Sequence, residues 1–254
     1  MSKLSPLLLL LAACGPALAD STTELMMPDG SKDMYAGVAF TTKTAAAEGE
    51  SRPVIVRPLF QVQWSNGVFA SANGVLGMHL SRTAGMEYGP LIFASNSRNP
   101  GDSWRLRGTR AINGSADVGG FYNYYLGYES RVTANLIYDT SARGWRSQVG
   151  LQKTLSELAP HHTVTLSAGV SLASDPVMRE LYEVSTAAGG VRDYRPSGGV
   201  TAVNAGVNWN WALSSKWLIS SSVTGTRLGN GPAAAPFVDR RNFITWSSGL
   251  AYRF

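Results

Sequence analysis

"FITWSSGLAYRF", residues 243–254, alternates between two kinds of side chain. Ile244, Trp246, Leu250, Tyr252 and Phe254 share one face, and Thr245, Ser247, Gly249, Ala251 and Arg253 share the other. A period of two belongs to an extended strand, whose successive Cβ atoms point to opposite sides. A half-buried strand of a soluble sheet carries Lys, Glu and Asp on its outer face. Here the polar face is small and almost neutral, which suits a strand with lipid on one side and a crowded polar interior on the other. The aromatic residues at the last and third-from-last positions resemble the assembly signal of bacterial outer-membrane barrels. Leu250, Tyr252 and Phe254 are expected to form that signal.

The same chemistry recurs along the chain. In "VIVRPLFQVQW" (54–64), Val54, Val56, Phe60, Val62 and Trp64 oppose Arg57, Gln61 and Gln63. In "RVTANLIY" (131–138), Val132, Ala134, Leu136 and Tyr138 oppose Arg131, Thr133 and Asn135. In "AVNAGVNWNWAL" (202–213), Val203, Ala205, Val207, Trp209 and Trp211 oppose Asn204, Gly206, Asn208 and Asn210. "HTVTLSAGVSLA" (162–173) sets Val164, Leu166 and Val170 against Thr163, Thr165 and Ser167. Aromatic residues cluster near segment ends, at Trp64, Tyr138, Trp209, Trp211, Trp217, Trp246 and Tyr252. Amphipathic rings at the two edges of a hydrocarbon layer form such girdles.

Composition agrees. Only 15% of the 254 residues are charged and 27 are glycine, against roughly 25% charged in soluble domains. The net charge is +5, but the 22 Lys and Arg are scattered rather than clustered, so nucleic acid is not an expected partner. No stretch after the N-terminus approaches the roughly 18 apolar residues of a membrane-crossing helix. Residues 1–19 read as a secretory signal, with Ala17-Leu18-Ala19 before Asp20 and cleavage between Ala19 and Asp20. "LAAC" (11–14) also fits a lipoprotein signal that lipidates Cys14. Cys14 is the only cysteine, so cleavage after Ala19 leaves residues 20–254 without thiol chemistry.

The expected fold is all-β, a transmembrane antiparallel up-and-down β-barrel. Its strands are placed at 33–41, 54–64, 68–80, 88–95, 115–126, 128–138, 145–155, 162–174, 179–186, 199–212, 216–228 and 243–254, with ten strands as the alternative to twelve. The segment 179–186 is needed to keep the count even, although "DPVMRELYEV" around it is the one place where helical periodicity can be argued. With both termini periplasmic, 65–67 and 213–216 become periplasmic turns, while 41–53, 186–199 and 229–241 become outer loops. On this register 96–114 is a long periplasmic segment and a candidate contact surface.

The polar inner faces name the lumen candidates: Arg57, Gln61, Gln63, Asp117, Arg131, Asn135, Arg146, Asn208 and Asn210. Inward arginines either line an anion-preferring pore or pair with inward acids such as Asp117 and plug it. A narrow barrel favours pairing. Chemistry beyond this is not indicated. His161 and His162 sit at an expected solvated hairpin loop, and adjacent residues on a strand point to opposite faces, so the pair is poorly placed to chelate one metal. His79 and Ser81 share a strand face, but an orienting third group is missing. No catalytic residue, metal site or cofactor is expected.

The segments "DMYAGVAF" (33–40), "VRPLFQVQW" (56–64), "FASANGVLG" (69–77), "EYGPLIF" (87–93), "LRGTRAINGSADVGGFYNYYLG" (106–127), "YRPSGGV" (194–200) and "GLAYRF" (249–254) occur in one order over nearly the whole chain after the signal. In this the chain resembles the MipA/OmpV family of outer-membrane proteins. The resemblance implies an outer-membrane location and contact with lipid, lipopolysaccharide and the barrel-assembly machinery. It also implies a scaffold role that binds a lytic transglycosylase and a penicillin-binding protein. A small porin or adhesin is the alternative role within the same family.

Replacing Phe254 by Asp is expected to block membrane insertion, read as loss of the protein from the outer-membrane fraction. Normal insertion of Phe254→Asp would refute the role given to the closing aromatic.

Overall fold

Backbone groups facing hydrocarbon have no water to bond, so each strand must find two neighbours and the last must return to the first. The computed structural model describes residues 32–42, 54–81, 83–95, 97–102, 104–106, 108–185 and 192–254, and in it the last strand returns to the first. The expected signal and the Ala19–Asp20 cleavage site lie outside the described residues. The strands are β1 (Lys32–Thr42), β2 (Val54–Trp64), β3 (Val68–Ser71), β4 (Val75–Met78), β5 (Met86–Ala94) and β6 (Ala116–Tyr125). They continue as β7 (Ser130–Asp139), β8 (Gly144–Ala159), β9 (His162–Ala173), β10 (Gly199–Ala212), β11 (Trp217–Leu228) and β12 (Asn242–Arg253). Each pairs antiparallel with its sequence neighbours and β1 pairs with β12, which closes a twelve-stranded barrel. No helix among the described residues is long and apolar enough to cross a membrane; this barrel crosses with strands.

The barrel is inverted relative to a soluble domain. Val38, Phe40, Val56, Leu136, Val207 and Ile244 point outward and are 45–61% exposed. Strands of 11 residues such as β1 and β2, at ~3.3 Å per residue and a ~45° tilt, cover about 25 Å, the height of the apolar band of an outer-membrane barrel. Aromatic rings mark its two edges. Trp217, Tyr252 and Phe254 meet edge to face at one rim, and Tyr138 meets Trp145 at the other.

Two features of the register differ from the expectation, and they offset each other. Residues 68–80 are not one strand but the hairpin β3–β4, because Ala72-Asn73-Gly74 turns the chain back with Gly74 at φ +76°. Asn-Gly between two apolar runs is a strong hairpin signal, and a long strand does not accommodate it. Residues 179–186 are not a strand. Asp175–Tyr182 forms helix α1, opened by Ser174 and by Pro176 in the first turn, where a missing N–H costs nothing. One strand gained and one lost leave twelve. Between the two sites, however, every connection changes ends. The long segment 95–115 joins the rim opposite the termini, and the short turn at Gly127 joins the terminal rim. The expected periplasmic placement of 96–114 is therefore incorrect.

The short hairpin also leaves β2 partly unaccompanied. Ser71 pairs with Gln61, and the N–H of Ala72 donates to the carbonyl of Phe60 at 2.8 Å. Above that level no described strand covers this side of β2. Backbone groups alternate in direction along a strand, so Pro58 faces the same edge as Phe60. Having no N–H, it leaves no orphan donor there.

Closure itself depends on one close approach. At the β1–β12 seam a Cβ on Gly37 would sit 1.9 Å from the carbonyl oxygen of Leu250. Backbone cannot yield as a flexible side chain does. Gly37→Val is expected to cost more than about 3 kcal/mol and to abolish the heat-dependent gel mobility shift of the closed barrel; an unchanged shift would contradict this account of the seam.

Candidate functional site: a bridged mouth above a filled lumen

The inner wall divides into a crowded half and a smooth half. On β3–β8 the interior carries large side chains. The rings of Phe69, His79 and Phe121 lie 4.8–5.8 Å apart, and Gly77 leaves the space that Phe69 fills. Asn123 donates to Glu87 at 3.0 Å. Towards the terminal rim, Arg131 donates to Gln152 at 2.8 Å and to the Tyr125 hydroxyl at 3.3 Å. Towards the far rim, Arg146 pairs with Asp117 and lies over the ring of Phe93 at 4.9 Å. Asp117 is fully buried and also accepts from the Ser115 hydroxyl at 2.8 Å and the Thr140 N–H at 3.1 Å. A buried carboxylate needs this full set of partners, since a charge left unpaired there costs several kcal/mol.

The other candidates lie on the same inner face without forming one constellation. Arg57, Gln61 and Gln63 alternate along β2, with Gln61 buried. Asn135 sits opposite Phe121 in the β6–β7 register. Asn208 accepts from Ser220 at 3.3 Å, and Asn210 follows two positions on. On β9–β12 the inner wall is otherwise small, with Ser167, Gly169, Gly206, Thr224, Ser247 and Gly249. At the seam, Arg253 binds Asp33 through two hydrogen bonds of 2.8 and 3.2 Å. Leu250 and Phe254 point outward and are 44% and 65% exposed; Tyr252 shares their face. His162 is not in a solvated loop: it stacks with Trp209 and Trp211 at 5.7 and 5.3 Å on the outer wall.

Three connections meet at the far rim, and sequence reading did not bring them together. These are the described residues of 95–115, 174–198 and 229–241, the last containing the short helix α2 (Asn230–Ala233). Strands β6 to β11, six of the twelve, separate the β5–β6 connection from the β11–β12 connection. The two therefore rise from opposite sides of the ring, and contact between them has to cross the mouth. They are in contact. Arg105 pairs with Asp239, and Leu106 and Phe237 bury together with Val177, Met178 and Tyr182 of α1.

Arg98 holds this lid. It is 3% exposed, and its guanidinium donates to the carbonyls of Leu181 at 2.6 Å and Glu180 at 3.0 Å, over the ring of Phe237. A cation on the last carbonyls of a helix satisfies acceptors that have no partner within the helix. Burial lowers the pKa of Arg98 and raises those of Tyr182 and of Glu180, whose carboxylate accepts from the Ser141 hydroxyl. Tyr194 adds a bond from its hydroxyl to the carbonyl of Gly231 at 2.6 Å. A lone Arg in "NSRNPGD" carries no periodic signal, so only the packing identifies Arg98.

Short turns at the terminal rim and long connections at the far rim match the periplasmic and extracellular ends of bacterial barrels. With an apolar outer wall, aromatic edges and a polar interior, the molecule is an outer-membrane β-barrel. Residues 35–254 match the model of the family described as MltA-interacting protein MipA, and the chain belongs to that family. No curated protein matches the chain significantly. Among solved structures, the NanC porin is similar at 9% identity and TM-score 0.46, over 88% of this chain and 100% of that one. An outer membrane channel from Pseudomonas putida F1 is similar at 10% identity and TM-score 0.43, over 90% and 97%. The Pseudomonas putida toluene transporter TodX is similar at 9% identity and TM-score 0.40, over 91% of each chain.

Removing the Arg98 guanidinium leaves two helix-end carbonyls without donors. Arg98→Met is expected to weaken the lid by about 2–3 kcal/mol, read as faster proteolysis within 95–115 while the strands stay protected. Unchanged proteolysis would show that the lid does not depend on Arg98.

Proposed function

We propose that this protein is a non-enzymatic scaffold that anchors peptidoglycan-remodelling enzymes, a lytic transglycosylase and a penicillin-binding protein, to the inner face of the outer membrane. The observation that carries this reading is the lid. Contact between Arg105 and Asp239 and between Leu106 and Phe237 spans the extracellular mouth, above a lumen half filled by Phe69, Phe121, Arg146 and Arg131. Such a barrel is better suited to holding position in the membrane than to passing solute. The family's description as MltA-interacting supports a partner of the transglycosylase class. Because 95–115 lies at the extracellular rim, the contact surface on this reading is the periplasmic rim, including the turns at 65–67 and 213–216.

A second reading, a small pore for polar solutes, draws on the smooth Ser-, Thr-, Gly- and Asn-bearing wall of β9–β12. The two differ in what the lid does. On the scaffold reading, a photo-reactive residue at Asn66 or Ser215 crosslinks an envelope enzyme in intact cells, and purified wild-type protein shows no steady conductance in a planar bilayer. Combining Phe237→Ala with Arg105→Ala then raises conductance without changing the crosslinks. Steady conductance in wild type together with absent crosslinks would replace the scaffold by the pore.

A further inference from the structure

The lipid-facing wall is not uniformly bulky. Near the extracellular rim, Ala205 and Gly225 are paired across β10–β11, and Gly225 is paired with Ile244 across β11–β12. Alternation places Ala205 and Gly225 outward, in line with Val207, Val223 and Ile244, each at least 46% exposed. Two small residues side by side leave a groove of about 800 Å³, with Ala205 and Gly225 as floor and Val203, Ile244 and Trp246 as walls. The space is open: a Cβ on Gly225 would meet nothing closer than the Ala205 carbonyl oxygen at 3.8 Å.

The upper end of the groove is cationic. Arg227 lies on the same outward face, one pair above Gly225, and Arg240 reaches the groove from the β11–β12 connection. Both are exposed, and neither has a carboxylate partner among the described residues, whereas Arg105, Arg146 and Arg253 each have one. From Arg227 down to the level of Trp246, which pairs with Val223, the strand runs four residues. At ~3.3 Å per residue and a 35–45° tilt this is about 10 Å along the membrane normal, most of the ~12 Å half-height of the apolar band. The groove is thus apolar where acyl chains lie and doubly positive where headgroups lie.

We propose that this groove binds a phosphorylated, acylated glycolipid of the outer leaflet, with one acyl chain along Ala205 and Gly225 and its phosphate on Arg227 and Arg240. Guanidinium forks bind phosphate oxygens bidentately, and the bilayer supplies this occupant at this depth. The site lies on the outer wall and is independent of the scaffold reading.

Native mass spectrometry of the full chain, folded in detergent and titrated with bis-phosphorylated lipid A, tests it. Wild type is expected to retain one lipid A, and the combination of Arg227→Gln with Arg240→Gln is expected to weaken retention about tenfold or more. Gly225→Leu, which has space for its side chain, is expected to weaken retention by filling the groove while the heat-dependent mobility shift stays intact. Lipid A stripped of its phosphates should compete poorly. Retention unchanged in the arginine variant, or in a folded Gly225→Leu variant, would overturn the proposal. Equal retention of dephosphorylated lipid A or of phosphatidylglycerol would overturn it too.

Discussion

The hydrogen-bond requirement of a backbone in hydrocarbon governs this molecule. A sheet with free edges cannot sit in lipid, so β1 must meet β12 at whatever cost to the residues between them. Gly37 at the seam meets that demand by having no side chain where the Leu250 carbonyl passes. Asp33 and Arg253 lock the same seam at its periplasmic end. Where β2 rises above the short hairpin, Pro58 removes one of the donors that face the uncovered edge. Glycine and proline, usually disruptive in sheets, are placed here where closure leaves no alternative.

Once the sheet is closed, the hydrophobic effect no longer builds a core inside it. The apolar side chains face lipid, and the interior is held by ion pairs and rings: Arg146 with Asp117, Arg131 with Gln152 and Tyr125, and Phe69 with His79 and Phe121. The conventional apolar cluster sits instead outside the wall, in the lid. There Leu106, Val177, Met178, Tyr182 and Phe237 pack together, with Arg98 buried beside them. The lid is a small soluble-type domain assembled from three connections, and the barrel supplies the spacing that lets them meet.

Much of the wall was legible in the sequence because lipid on one side and a lumen on the other impose a period of two on every strand. Even so, two local signals were outweighed by that pattern. Asn73-Gly74 specifies a hairpin, and Ser174-Asp175-Pro176 specifies a helix start, yet both sit in segments whose apolar content also fits a strand. Reading them through gave the correct count from two opposite errors and reversed the rim of 95–115. The inward direction of Asp117 and Arg146 was readable; their meeting was not, because it depends on the β6–β7–β8 register.

The sequence by itself determined that this chain is a membrane-spanning barrel, since alternation with neutral polar faces has few other physical uses, and the order of its motifs gave the resemblance to the MipA/OmpV family. Only the tertiary structure decided which connections share a rim, that they bridge the mouth, and that Arg98 holds them together. It also decided that Ala205, Gly225, Arg227 and Arg240 form one groove. The physical reason is that facing is a local property, set residue by residue by the pleat. Which strands and loops become neighbours is set by register and closure, and these belong to the whole ring.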